Sequence, residues 1–452
     1  VIVMSRVVLI AVFIGGGTIA FIAGIIGYAY SSTGQAVAAE QENIRAEGRA
    51  TTIAELEAKI PKLSAGENAA NMYRAGFDLM VESTEDEARL LPIVGEYEAA
   101  SRSDPYPPEV LRAMEKFLRE NEKAIALFMQ AATYEQCVFI EDYSDGPAIE
   151  LPHLSKLRGA VRRLCIEAEY SSQMGARDRA ARAIVAAISV PRALDHEHLL
   201  ISQLVRIALD GVNAVSFARV VGSTSLTNDQ LLEFGELLDI DLARECFVRG
   251  LEGETVIFDD LVHSMVADPK RFAQVAPDLD YEELVDIRSL PLLSLWVAIN
   301  RSDGLRFMNE SIKVLSLPYP DMMVRAQEVE ALTEEFSSFS KLAAIICPSI
   351  NRAVEAHVRD ATHLELMRAI VAIELYRNQA DALPSALDEN VFGIYETAPM
   401  DLFSGKDLIY KQSGSGYTMY SVGSNLRDDG GVDLGTSKEQ RENGDWFLTV
   451  AR

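Results

Sequence analysis

From Val7 to Tyr30 the chain reads "VVLIAVFIGGGTIAFIAGIIGYAY", an uncharged apolar run long enough to cross a hydrocarbon core of about 30 Å as one helix. Polar helix formers follow from about Gln41 to Lys59, and Pro61 ends them. Further on, apolar residues recur at threes and fours. Leu157, Val161, Leu164 and Cys165 make one stripe predicted to face a core, with Lys156, Arg158, Arg162 and Arg163 in water. "ARDRAARAIVAAISV" and "LLISQLVRIALDGVNAVSFARV" keep the same period. Ser64-x-x-Glu67 and Thr227-x-x-Gln230 have the form of capping boxes, and "STEDEARL" sets acids in a first helical turn. Between Ser64 and Ile345 no segment alternates as a strand. After a helical stretch from about Asn351 to Asn378, "DLIYKQSGSGYTMYSV" predicts a hairpin about Ser413-Gly414-Ser415-Gly416, and "DWFLTV" a third strand.

The fold class expected is mainly α: a single N-terminal transmembrane helix, a multi-helix bundle or irregular helical-repeat body, and a small C-terminal α+β module of a long helix plus a short antiparallel sheet. A length of 452 residues agrees with two or three folded units. The boundaries read 1–6 as a cytoplasmic stub, 7–30 as the span, 31–62 as a helical stalk, 63–345 as the helical body and 346–452 as the terminal module. Proline-rich joints at Ser103–Glu109 and Ser316–Asp321, with Asp142–Pro147, punctuate the body. Cys165 to Leu194 resembles a tetratricopeptide unit, with small residues around a glycine turn, although no regular period is found.

Arg6, the only charge before the run, votes for a cytoplasmic N-terminus in a bacterial membrane and a periplasmic or otherwise extracytoplasmic body. The alternative is a signal peptide cleaved after Ala36-Val37-Ala38, but the run is longer than the roughly 7 to 15 residues of a signal core. Gly16, Ala20 and Gly24, four apart, form a strip on which two copies of the span can meet as a homo-oligomer. The partners expected are therefore the lipid bilayer through residues 7–30 and a protein on the helical body.

Hydrophobic residues at 48% and charged residues at 24% are ordinary globular proportions, whereas a net charge of −26 argues against nucleic acid, which demands a basic face. Cys137, Cys165, Cys246 and Cys347 form no C-x-x-C pair and sit in apolar contexts. They read as buried free thiols, with disulfides as the alternative.

Catalytic motifs are scarce. In "LDHEHLL" His196 and His198 would diverge by about 200° on a helix, unlike the i, i+4 pair of H-E-x-x-H, so the stretch reads as a solvated helix start. His357 and His363 are six apart, and neither a phosphate-binding loop nor a G-x-S-x-G elbow occurs. No catalytic residue is assigned, and a hydrolase with a site assembled only in space is the alternative of another class.

The last quarter of the chain resembles the C-terminal part of the major pseudopilin of type II secretion systems. The residues that carry this are Tyr376-Arg377, Leu383-Pro384-x-x-Leu387, Pro399-x-Asp401-x-Phe403-x-Gly405-x-x-Leu408-x-Tyr410, Gly416-Tyr417, Tyr420-Ser421-x-Gly423 and Asp445. Leu402 and Asp407 stand where the pattern commonly has proline. The resemblance implies a calcium ion in the loop after Tyr-Ser-x-Gly, with Asn425 and Asp445 at ligand positions and Asp428, Asp429 and Asp433 as further candidates. Calcium takes six to eight oxygens, which such a loop can supply. The function expected is a membrane-anchored envelope scaffold or binding protein, the alternative being a divergent type II secretion or pilus-like component.

Overall fold

A computed structural model describes residues 27–98, 104–267, 292–336, 340, 343–344, 347–431 and 444–452. All but the last four residues of the 7–30 run lie outside that range, as do Gly16, Ala20, Gly24 and Asp433. Among the described residues no helix is long and apolar enough to cross a membrane.

The chain is mainly helical, with a small antiparallel sheet at its C-terminal end. The helices are α1 (27–46), α2 (Ile53–Glu57), α3 (Ala70–Phe77), α4 (Glu85–Ala88), α5 (Pro108–Glu120), α6 (Glu122–Ala131), α7 (Pro152–Gln173) and α8 (Arg177–Ser189). After them come α9 (Leu200–Ser223), α10 (Asn228–Gly235), α11 (Ile240–Ala267), α12 (Leu292–Val314), α13 (Tyr319–Glu335), α14 (Ile350–Ala380) and α15 (Glu389–Phe392). Hairpin β1 (Met400–Asp401) with β2 (Lys406–Asp407) precedes the sheet β3 (Ile409–Ser413), β4 (Gly416–Ser421) and β5 (Trp446–Val450). Its register pairs Tyr410 with Met419 and Met419 with Leu448, and the predicted turn holds Gly414 at φ 61°.

Local signals decide several ends. Thr227 and Gln230 form the reciprocal box at α10, and Thr84 and Glu87 form another at α4, over the acidic first turn. At Ser64 the Glu67 carboxylate accepts from the Ser64 amide and hydroxyl, yet only an isolated turn forms and the helix waits until Ala70. The segment 31–62 bends at Gly48 (φ 75°) and packs on the body through Val37, Ile44, Leu56 and Ile60.

α7 and α8 fold into a helical hairpin about Gly175 (φ 76°) and build, with α3, α5, α6, α9 and α10, the larger apolar cluster. A second cluster joins α11, α12 and α13. α14, 31 residues and about 46 Å long, runs through both: Ile350 to Ala361 in the second, Leu364 to Leu375 in the first. Helix α7 is buried on more than one face, which corrects the position of Arg163. Instead of meeting water, its guanidinium donates to Asn121 Oδ1 at 2.9 Å and to the Val81 carbonyl at 2.8 Å.

The sheet is fastened to the helices by charge as well as by apolar contact. Glu374 of α14 accepts from the Tyr417 hydroxyl at 2.9 Å and from Arg452 at 2.6 Å, and Arg452 also donates to the Val221 carbonyl of α9 at 3.1 Å. Tyr417, Met419, Leu448 and Val450 belong to the same apolar cluster as α7 and α9.

Candidate functional site: a buried ionisable junction and the C-terminal loop

Where the two apolar clusters meet, α9 and α14 both carry charge into the interior. Arg206 and Asp210 are one turn apart on α9, His357 and Asp360 one turn apart on α14, and all four are buried. Arg206 Nε stands 3.4 Å from a carboxylate oxygen of Asp195, which precedes α9. The Cys246 thiol of α11 donates to the same oxygen at 3.5 Å, and Arg249 donates to the Asp195 carbonyl at 2.9 Å. The His357 ring stacks on Phe247 at 4.8 Å, with Tyr319 on another side at 5.6 Å and Arg244 over the Tyr319 ring at 4.3 Å.

Burial sets the protonation of this junction. It holds Asp210 well above the usual carboxylate range, an effect that the neighbouring Asp360 reinforces. Burial pushes Asp360 up to about 6 against the pull of Arg206 and Arg359. It drives His357 down to about 3, aided by Arg244 and Arg206, and the Cys246 thiol up to about 12. Near neutral pH the histidine and thiol are uncharged, so the guanidinium faces carboxylates that compete to ionise.

A stability difference follows from Asp360. Its carboxyl ionises near 3.8 when unperturbed and near 6 in the fold, so the folded chain retains that proton between the two values. The contribution is therefore full below about 3.8 and is lost as pH rises through about 6. Asp360→Asn is expected to gain stability relative to the parent between pH 4 and pH 7.5, read from urea midpoints. The difference reads Asp360 together with Asp210, whose carboxyl the Asp360 charge helps to hold up.

The "LDHEHLL" stretch corrects its expectation. Glu197 and His198 are buried, not solvated, because Val190–Leu194 is a 3-10 turn that folds the next residues inward before α9 starts. His153 Nε2 meets Glu197 Oε1 at 2.7 Å while its ring stacks on Phe139 at 4.6 Å. The His198 amide donates to the Tyr143 hydroxyl at 2.9 Å, and burial lowers the His198 ring to about 4. All four cysteines are free, with Cys137, Cys165 and Cys246 buried and Cys347 partly so.

In the C-terminal loop Asn425, Asp429 and Asp445 are linked by hydrogen bonds, whereas Asp428 bonds to other partners. Asn425 donates to Asp429 Oδ2 at 2.9 Å, and Asp445 accepts the Asp429 amide at 3.2 Å and the Gly431 amide at 2.7 Å. Asp428 accepts the Tyr420 hydroxyl and the Gly430 amide, each at 2.9 Å. Among the described residues no group of three or more histidine, cysteine and acidic side chains is arranged to hold a metal. The donors are hard oxygens and suit calcium in kind, although Asp445 has each oxygen on an amide. Asp401, whose role was not assigned from sequence, is the hub beside them. It accepts from Phe403 N at 3.0 Å, Ser404 Oγ at 2.6 Å, Ser421 Oγ at 2.6 Å and Val422 N at 3.3 Å, tying the Pro-x-Asp-x-Phe and Tyr-Ser-x-Gly motifs together.

Fold and site thus define a helical protein with a sheet-bearing terminus and an ion-paired interior. No protein-family model, curated protein or solved structure matches it.

Proposed function

We propose that this chain is a membrane-anchored envelope scaffold or binding protein, held by residues 7–30 with its body outside the cytosol. The observation that carries the reading is the course of α1. This helix takes in the last residues of the apolar run and continues to residue 46. Tyr28 and Tyr30 are 78% and 51% exposed at its start, residue types that favour the membrane interface, while Val37 and Ile44 are buried with Leu305. Full-length chain is expected to stay with membranes after alkaline carbonate washing and to be cut by protease added outside the cytoplasmic membrane. Recovery in the soluble fraction would overturn the reading.

The partner surface proposed on the body is the groove of about 350 Å³ between α5, α7 and α8, where Leu118, Tyr170 and an exposed Met174 lie among Glu115, Glu122 and Arg179. The pseudopilin-like module is proposed to take calcium through Asn425, Asp429 and Asp445, closing the loop on the sheet. With calcium at one hundred times its dissociation constant, linkage would add about 2.7 kcal/mol. The melting temperature of chelator-treated chain is expected to rise on adding calcium, and not in Asp445→Asn. An unchanged wild-type melting temperature counts against the ion.

A further inference from the structure

A cavity of about 310 Å³ opens between the start of α9, the middle of α11, the Gly146–Ala148 turn, α12 and the segment before α14. Its wall is apolar through Ile149, Leu151, Leu199, Ile257, Phe258 and Met308, and among the described residues its one charged side chain is Glu254. One Glu254 oxygen accepts the Leu200 amide at 3.0 Å, the first turn of the 24-residue helix α9. Burial raises this carboxyl, while the Leu200 amide acts to keep it ionised. Cys347 also lines the wall; burial pushes its thiol up to about 12, which leaves it neutral and slow to react.

We propose that this cavity is a binding site for a small apolar molecule carrying a single protonated amine, the ammonium on Glu254 and the hydrocarbon against Ile257, Phe258 and Met308. The volume lies at the low end of ligand pockets, which restricts the occupant to a small molecule. A carboxylate that is the single charge among the described wall residues selects the sign of the charge: an anion would meet repulsion, and a neutral isostere would gain only the apolar contact. None of the residues that line it lines the partner groove.

Cys347 supplies a local readout, being a wall residue of the cavity and the one of the four cysteines that is not fully buried. Full-length chain is alkylated with N-ethylmaleimide at fixed pH in the presence of hexylammonium, hexanol or hexanoate, and modification of each cysteine is followed by peptide mass spectrometry. Hexylammonium is expected to slow alkylation of Cys347 at concentrations about tenfold below those needed for hexanol, with hexanoate weakest. In Glu254→Gln the amide oxygen can still accept from Leu200, and the advantage of the ammonium over hexanol is expected to vanish. Ile257→Trp, which fills the cavity, should remove protection by all three. Equal protection by hexanoate and hexylammonium in the parent, an ammonium advantage that persists in Glu254→Gln, or no protection by any probe overturns the proposal. Glu254→Gln alone suffices if the tryptophan variant does not fold.

Discussion

Arg206→Met is expected to destabilise the chain by about 3 to 5 kcal/mol, measured by urea denaturation at pH 7.5. Arg206 is the buried cation that faces Asp195, Asp210 and Asp360 together. Methionine conserves much of the stem's packing but leaves Asp210 without its counter-charge and Asp360 with Arg359 alone, and a buried carboxylate cannot recover its hydration without opening the core. Those acids would respond by taking up protons, so the loss should shrink toward pH 4. The double variant Arg206→Met with Asp195→Asn should recover part of the stability, because one of the orphaned charges is removed with the cation. A loss below about 1 kcal/mol at pH 7.5 would show that the junction is not an ion-paired unit.

This junction also marks the limit of what the sequence discloses. Helices with apolar residues at threes and fours, the Thr227 box, and a hairpin with flexible glycine and serine at its turn all depend on neighbours within a few positions, and each appears where the pattern puts it. The ionisable junction depends on residues about 150 positions apart. Arg206 and Asp210 look like the polar face of an amphipathic helix, and nothing near them records that α11 and α14 cover that face. A faint signal exists in "LLISQLVRIALDGVNAVSF", where opposite charges one turn apart interrupt a helix too apolar all round to lie at a surface. Arg163 and His198 were misplaced for the same reason, since partners such as Asn121, Val81 and Tyr143 come from other elements. The terminal loop was more legible. Its turn-forming glycines and most of its oxygen-bearing side chains are close in sequence, while Asp445 comes from just before β5.

The second large effect is expected from a methyl group. Gly253→Ala should cost about 3 kcal/mol or more, because a Cβ on this residue of α11 would meet the His198 carbonyl oxygen at 1.6 Å and its carbon at 2.6 Å. Backbone cannot swing aside as the end of a flexible side chain can, so α11 would have to move off residues 198–203. A Cβ on Gly250, one turn earlier, would meet Gln203 Cγ and the Leu200 Cα at 2.9 and 3.3 Å, so the two glycines together set this close approach. Gly211→Ala provides the contrast: its nearest atoms, on the His363 ring, are 3.6 and 3.7 Å away, and the gain in helix propensity, about 1 kcal/mol, should show as a neutral or stabilised protein. The order of the two urea midpoints tests the packing directly. It also bears on the cavity, since Glu254 follows Gly253 and reaches the Leu200 amide only while α11 lies this near the start of α9. A Gly253→Ala chain that still folds should therefore lose the preference of the cavity for an ammonium, while Gly211→Ala keeps it.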